Sequence, residues 1–221
     1  MIRLYGDWRS LAAYRVRVAL NLKGLAFEEQ MIDLNAGAQL AAGFRAINPQ
    51  GAVPVLVAGD GAVLTQSLAI IEYLDEVYPE PALLAADPAG RARVRALALL
   101  FAADSHPLIT PRVTRYLGES LGVDEAARRA WSRHWLRRSL EQAEALLAGD
   151  PFPGQGATGR FCHGDAPGLA DICLASQWVG ARALSVETGD VPTVGRIGEA
   201  CLALDPFARA HPLRQPGAPA P

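Results

Sequence analysis

The chain has few cysteines and no excess of charge of either sign. Of its 221 residues only three are cysteines, and this odd, widely spaced set indicates neither a disulfide framework nor a cysteine-based zinc site. We expect Cys162, Cys173 and Cys201 to be small buried hydrophobic residues. The 21 basic and 23 acidic side chains leave a net charge of −2, which gives no basic field for nucleic acid or an anionic membrane. Any recognition of an anion must therefore be local.

The sequence also lacks long apolar runs and paired histidines. No run reaches the roughly 20 apolar residues that a transmembrane helix needs, and the first residues resemble a strand rather than a secretory signal. We therefore expect a cytoplasmic protein with no membrane partner. The four histidines are scattered without metal-ligand spacing, so no metal site is expected. Half of the residues are hydrophobic, enough to build the core of one large domain or two small ones.

The stretch 3–20 has the pattern of a short strand, a polar turn and an amphipathic helix that begins at Ser10. The first backbone N–H groups of a helix lack intrahelical partners, and the helix dipole makes that end partly positive. Such an end can hold an anion, including a thiolate. Ser10 either caps this helix or adds a further donor to an anion site, and the two roles are compatible.

The rest of the first third predicts a mixed sheet with helices packed on it, because the order is βαβ followed by ββα. Ser67 is predicted to cap the last helix of this region. The predicted elements are a strand at 2–5, a helix at 10–23, a strand at 27–33, a loop with a weak helix at 35–46, strands at 53–57 and 62–64, and a helix at 68–77.

After a proline-rich linker at 79–88 the pattern becomes helical throughout. We predict a first domain at 1–80 and an all-α second domain at 89–221. Within the latter, Asp171 is predicted to have a structural role, accepting hydrogen bonds from N–H groups at the start of a buried helix. The helices are predicted at 89–103, 112–121, 124–148, 169–184 and 192–203, with a loop at 150–161 and a proline-rich tail at the end.

Five short motifs, in this order and spacing, resemble the zeta class of glutathione transferases, which includes maleylacetoacetate and maleylpyruvate isomerases. They span nearly the whole chain. The motifs are Trp8-Arg9-Ser10 before 15–20, Asn48-Pro49-Gln50 before Val53-Pro54, the run 66–72, Leu169-Ala170-Asp171, and Ala210-His211-Pro212. The resemblance implies an α/β plus all-α fold: a thioredoxin-like domain followed by an all-helical domain. It also implies glutathione as cofactor, a small-molecule substrate, a homodimer and a role in aromatic amino acid catabolism.

The resemblance assigns glutathione to the first domain. Ser10 would hydrogen-bond the thiolate, and Val53 would pair with the cysteinyl unit beside Pro54 in the cis form. Gln66 and Ser67 would bind the γ-glutamyl carboxylate at a helix N-terminus. Each has a plainer alternative: a helix cap for either serine, and a trans edge proline for Pro54. Less specific assignments are Gln39 for the glycyl end, Gln50 in the approach loop, and Asp104 for a glutamyl amine across a dimer.

Arginines are expected to bind a dicarboxylate substrate, because a guanidinium binds a carboxylate through two parallel hydrogen bonds. The resemblance places Arg9, Arg112 and Arg182 near arginines of maleylpyruvate-type relatives, with His106 of similar status. The alternative for each arginine is a solvated or ion-paired surface charge. The neighbouring positions 109–111 are less polar than in those relatives, which predicts a less polar substrate pocket.

One departure from the zeta pattern lies at the expected thiolate site, where we expect stabilisation of the thiolate to be weakened or rearranged without being necessarily lost. The small polar residues that usually follow the first serine are replaced by Leu11, Ala12 and Ala13, although the backbone N–H groups remain. Three hypotheses follow: a glutathione-dependent isomerase, a transferase that conjugates or dehalogenates another electrophile, and a transferase-like protein without catalysis. A panel of substrates separates the first two, and calorimetry with glutathione tests the third.

Overall fold

The computed structural model describes residues 1–149, 151 and 153–219, so positions 150 and 152 of the predicted loop lie outside the described residues. The chain forms two compact units. In the first, a four-stranded sheet has the order β2-β1-β3-β4, with β1 parallel to β2 and the other pairs antiparallel. This is the predicted mixed sheet. Its strands are β1 (Ile2–Gly6), β2 (Phe27–Met31), β3 (Val55–Val57) and β4 (Val63–Thr65).

Three helices complete the predicted pattern of this unit: α1 (Leu11–Leu22), α2 (Ala42–Ile47) and α3 (Ser67–Val77). A 3₁₀ turn at Ala38–Leu40 precedes α2, in the region predicted as loop and weak helix. Helix α1 ends before Gly24, whose φ of +65° is the left-handed conformation that glycine adopts without strain. Most of α1 is buried, including Arg15 and Arg17. A fully buried arginine needs polar partners, and these are described with the site.

The second unit, residues 83–203, is helical and has one irregular segment. Its helices are α4 (Pro88–Leu99), α5 (Pro111–Glu119), α6 (Glu125–Ala148), α7 (Leu169–Ala183) and α8 (Pro192–Leu202). The helix predicted at 89–103 changes at Leu100–Ser105 to a π-helix, and a 3₁₀ turn follows at His106–Ile109. Buried Gln177 donates through Nε2 to the Phe101 carbonyl (3.1 Å) and to Ser105 Oγ (3.0 Å). These bonds to α7, together with Pro107, which lacks an N–H, favour the irregular geometry.

Asp171 is buried at the start of α7, as predicted, and has only structural partners in the described chain. Its Oδ2 accepts from the Gly168 N–H (2.9 Å) and its Oδ1 from the Cys162 N–H (2.8 Å). Gly168, the residue before the helix, leaves room for the chain beside it, because a Cβ there would lie 2.7 Å from the Leu83 carbonyl oxygen. The Asp171 carboxylate thus ties the loop before α7 to the helix start.

The end of the chain differs from the predicted proline-rich tail. A ninth helix, α9 (Asp205–Ala210), and a 3₁₀ turn at Pro212–Arg214 form there, and residues 204–219 belong to the first unit instead of the predicted domain 89–221. Each element has its proline in the first turn, where the missing N–H has no intrahelical acceptor to lose. The Pro206 carbonyl accepts from Asn21 Nδ2 (2.9 Å), which holds α9 against α1. Among the described helices, none is long and apolar enough to cross a membrane.

Candidate active site

Ser10 lies at the N-terminus of α1, where a turn from Asp7 leads into the helix. The Ser10 N–H donates to the Asp7 carbonyl (3.0 Å), and Ser10 Oγ accepts from the Ala13 N–H (3.1 Å). The hydroxyl therefore caps the helix as an acceptor, and its own hydrogen has no acceptor among the described residues. The N–H groups of Leu11 and Ala12 likewise have no partner within the described chain. This end of α1 offers three donors to an anion.

The side chain of Asp7 stabilises this turn through hydrogen bonds to the backbone. It is buried, and its two oxygens accept from the backbone N–H groups of Arg9 (2.8 Å) and Leu34 (3.1 Å). Arg9, one of the arginines predicted to bind the substrate at the catalytic site, is exposed. Its Nε lies 3.7 Å from Asp7 Oδ1, and its guanidinium lies 5.3 Å from the centroid of the Trp8 ring. Arg9 is thus adjacent to Ser10 in the turn and open to solvent, and substrate binding by this residue stays a prediction.

The three positions that depart from the zeta pattern differ in exposure. Ala13 is fully buried and Ala12 is nearly so, whereas Leu11 is half-buried. The departure therefore leaves the backbone donors in place and puts one apolar side chain at the edge of the turn. Ser10 retains the only hydroxyl in this four-residue run.

The bond between Val53 and Pro54 is cis, which confirms that prediction. Val53 precedes β3 and takes no part in the described sheet pairing. No described residue bonds its backbone N–H or carbonyl. Both groups are therefore available to an extended peptide, as strand-like pairing requires.

Ser67 is the first residue of α3, and the prediction that it caps this helix is wrong. The cap position belongs to Gln66, which has a φ of +68° and makes no capping bond with its side chain. The turn at Gln66 redirects the chain so that Ser67 is buried, with its Oγ accepting from Arg15 Nε at 3.0 Å. The Ser67 hydroxyl can still donate its hydrogen, beside the uncapped N-terminus of α3.

Three glutamines were predicted to bind the cofactor, and the side chains of two of them are hydrogen-bonded to each other. Gln66 Nε2 donates to Gln50 Oε1 (3.1 Å), and both side chains are exposed. Gln39 lies in the 3₁₀ turn before α2. It is buried, and its Oε1 has no hydrogen-bond partner in the described part of the chain. A buried amide oxygen without a partner is costly, so a ligand donor at this point would stabilise the site.

Arg15 and Arg17 are the functional candidates that sequence reasoning missed. Arg15 contacts Ser67, and Arg17 donates to the Asp7 carbonyl (2.7 Å), so each supports one of the two helix starts. The signal was present: two arginines interrupt the apolar run 14–20 on a helix that is otherwise buried. Buried guanidinium groups require several acceptors, and the sequence does not show where those acceptors are.

The remaining predicted residues lie in the helical unit. Asp104 is exposed in the π-helical segment, and His106 is half-buried at the start of the 3₁₀ turn that follows. Arg112 is exposed in the first turn of α5. Arg182 lies near the end of α7 and donates through Nη1 to Glu199 Oε1 (2.7 Å), an exposed ion pair that matches its alternative assignment. Their roles toward substrate stay predictions.

The cysteines are not candidates for the chemistry. All three are buried, as expected, and none forms a disulfide within the described residues. Burial raises the pKa of the Cys162 thiol, with Asp171 adding to the effect, and burial likewise raises the pKa of Cys201. Neither is a thiolate at neutral pH. In the described residues no three His, Cys, Asp or Glu side chains cluster as a metal site would require.

Comparison with known proteins agrees with this geometry. The family model for the glutathione S-transferase N-terminal domain matches residues 9–77. The chain is 45% identical to a maleylpyruvate isomerase from a Ralstonia species, over 97% of this chain and 99% of that protein.

Two solved structures are similar over nearly the whole chain. One is maleylacetoacetate isomerase from Methylobacterium extorquens AM1 with bound malonate and glutathione, at 52% identity and a TM-score of 0.93, covering 99% of this chain and 100% of that one. The other is the holo structure of a maleylpyruvate isomerase described as a bacterial zeta-class glutathione transferase. It is 43% identical with a TM-score of 0.92, and covers 98% and 100% of the two chains.

Proposed function

Since the chain belongs to the zeta class of the glutathione transferase family, we propose that it is a glutathione-dependent cis–trans isomerase. Its substrate would be a small maleyl dicarboxylate of the maleylacetoacetate or maleylpyruvate type. The observation that carries this proposal is the start of α1: Ser10 Oγ accepts the Ala13 N–H and keeps its own hydrogen for a bound thiolate. The full-length relatives support the choice of reaction.

The first unit fits glutathione at several points. The backbone of Val53, which has no hydrogen-bond partner among the described residues, suits the cysteinyl unit. The N-terminus of α3, where Gln66 makes no side-chain capping bond, suits a carboxylate together with Ser67. The buried Gln39 Oε1 lacks a partner among the described residues and can accept from a ligand N–H. Glutathione, when bound, supplies a thiolate that adds to the cis double bond, lets the resulting single bond rotate, and is expelled to leave the trans alkene.

The protein's own contribution is positioning and stabilisation of charge. The Ser10 hydroxyl and the Leu11 and Ala12 N–H groups donate to the thiolate, which lowers the thiol pKa and raises the fraction of nucleophile at neutral pH. Ser67 and Val53 hold the tripeptide so that its sulfur lies at α1. Arg9, Arg112 and Arg182 are the candidates for the substrate carboxylates, and the relative solved with the dicarboxylate malonate supports that substrate class.

An assay of the purified protein tests the proposal. With maleylacetoacetate or maleylpyruvate we expect conversion to the trans isomer only when glutathione is present, and the glutathione concentration should stay constant during turnover. Consumption of glutathione with a halogenated acid, and none of the isomerisation, would instead favour the conjugating transferase, for which the apolar Leu11 is the argument. Absence of heat on titration with glutathione would favour the non-catalytic alternative.

Replacing Ser67 with alanine should weaken glutathione binding and leave the thiolate site intact. The variant removes the hydroxyl that would meet the γ-glutamyl carboxylate and leaves buried Arg15 Nε without this acceptor. We expect the KM for glutathione to rise roughly tenfold, as for a lost hydrogen bond to a charged group, with kcat changed less than threefold. Steady-state kinetics at varied glutathione measure both, and Ser120→Ala, outside the site, is the control. An unchanged KM would remove Ser67 from the binding site.

Three further properties complete the proposal. The family's architecture supports a homodimer, to which Asp104 would contribute at a partner's glutathione. On the same family membership we propose a cytoplasmic location and a step in aromatic amino acid catabolism. Light scattering coupled to size-exclusion chromatography tests the dimer: a mass near 47 kDa, twice the 23.5 kDa of the chain, is expected, and a monomer at assay concentration would contradict it.

A further inference from the structure

Arg17 links three separate parts of the first unit through one buried guanidinium. The side chain is 1% exposed. Its Nε lies 3.0 Å from both carboxylate oxygens of Glu29 on β2, its Nη2 donates to the Asp7 carbonyl (2.7 Å), and its Nη1 donates to the Ala210 carbonyl at the end of α9 (3.3 Å). No step of the proposed reaction uses this group, yet one of its acceptors belongs to the turn that carries Ser10.

We propose that Arg17 is a positioning residue for Ser10. The guanidinium holds the Asp7 carbonyl, which also accepts the Ser10 N–H, and the bond to Ala210 makes the C-terminal helix part of the same support. The inference rests on the proposed function, because it assigns Arg17 a role in setting the thiolate site.

The Asp7 carbonyl connects Arg17 to Ser10. Its oxygen accepts two bonds, one from the charged Arg17 and one from the Ser10 N–H at 3.0 Å. Bonds from charged donors are shorter and stronger than those between neutral groups, so the Arg17 bond determines where this oxygen lies. A shift of the carbonyl moves Ser10 directly, and misplacement by about 1 Å of a group that contacts the reacting atoms can cost 100-fold in rate.

The planar fork of arginine is required for this arrangement. Three acceptors in different directions are reached by three nitrogens of one rigid group, which the single ammonium of lysine cannot reproduce. Burial lowers the pKa of Arg17 and raises that of Glu29, and the ion pair between them opposes both shifts. The carboxylate therefore offsets the cost of burying the guanidinium charge.

Glycine at position 6 makes space for this ion pair. A Cβ on Gly6 would lie 2.5 Å from Glu29 Oε1, so any side chain there would displace the carboxylate that orients Arg17. The same two strands carry a natural control. Arg3 and Glu28 form an ion pair across β1 and β2 at 3.8 Å, with side chains 51% and 58% exposed, and do not contact the turn.

The experiment compares Arg17→Lys with Arg3→Lys in the full chain. The pKa of the bound glutathione thiol is measured from thiolate absorbance, together with kcat, the KM for glutathione and the melting temperature. For Arg17→Lys we expect the thiol pKa to rise by about 0.5 to 1 and kcat at neutral pH to fall about tenfold. The KM should stay within about twofold, because Val53 and Ser67 are unchanged. Arg3→Lys should match the wild type in all four.

Two outcomes overturn the inference. A lower melting temperature with an unchanged thiol pKa would give Arg17 a purely structural role. An equal rise in both variants would show that the effect does not depend on the buried bonds of Arg17, because the exposed Arg3 makes no such bonds. If Arg17→Lys fails to fold, Glu29→Gln replaces it, because this variant removes the charge that orients Arg17 and adds no atom beside α1. A raised thiol pKa with the KM preserved supports the inference, and an unchanged thiol pKa refutes it. Failure of the proposed function is distinguishable, because the wild-type protein would then not isomerise the maleyl substrate, whereas the thiol pKa of bound glutathione is measured without that substrate.

Discussion

Replacing Ser10 with alanine is expected to lower kcat for isomerisation roughly 100-fold and to raise the pKa of the bound glutathione thiol. The variant removes a hydroxyl donor aimed at the developing or released thiolate, and loss of one such donor costs about 100- to 1,000-fold in other enzymes. We expect the lower end of that range because the Leu11 and Ala12 N–H groups remain at the start of α1. The measurements are steady-state rates at saturating glutathione and titration of the bound thiol.

This experiment must distinguish the role of Ser10 as the cap of α1 from its role as a hydrogen-bond donor to the thiolate. Ser10→Ala also removes the acceptor of the Ala13 N–H, which should cost about 1 kcal/mol of unfolding free energy. Asp124→Ala removes an equivalent cap from α6, where Oδ1 accepts the Ala127 N–H (2.8 Å), and should lower stability without changing the rate. Ser10→Thr keeps both the hydroxyl and the cap and should retain most activity. Equal rates and thiol pKa values for Ser10→Ala and wild type would leave Ser10 as a cap alone.

Replacing Asp171 with alanine should lower the free energy of unfolding by about 3 kcal/mol. The carboxylate is buried and accepts the N–H groups of Gly168 and Cys162, so the variant leaves two donors without this acceptor. Each orphaned buried donor costs about 1–3 kcal/mol. Urea unfolding followed by circular dichroism measures the loss, and the fraction that folds should keep the wild-type kcat, since Asp171 has no part in the reaction.

Asp165→Ala is the matched control for Asp171. Asp165 is exposed and its Oδ1 accepts the Arg160 N–H at 2.9 Å, so water can replace it after substitution. We expect a loss below about 1 kcal/mol for this variant. Equal losses at positions 165 and 171 would contradict the prediction, because they would show that neither burial nor the second hydrogen bond of Asp171 adds stability.

Local patterns in the sequence were sufficient for most of the fold. The strand before Ser10, the glycine after α1 and the hairpin before α3 follow from turn chemistry and hydrophobic period, which depend only on neighbouring residues. Ser10 as the cap of α1 and Asp171 as a buried acceptor at α7 were also predictable. Ser10 and Asp171 each accept a hydrogen bond from an N–H group three residues away along the chain, and only the Cys162 N–H lies farther from its acceptor, Asp171. The family resemblance supplied the remaining step from elements to a glutathione site.

Tertiary structure decided the features that depend on residues distant in sequence. The cap position of α3 is Gln66 and not Ser67, because the buried Ser67 side chain accepts a hydrogen bond from Arg15, 52 residues earlier. The C-terminal segment forms α9 and packs on α1 through a carbonyl that accepts from Asn21, 185 residues away. Propensity and period describe a chain's immediate neighbourhood, whereas a buried guanidinium is satisfied only by acceptors that folding brings to it. The sequence alone therefore determined where Ser10 would lie, and only the folded chain determined that Arg17 would hold it there.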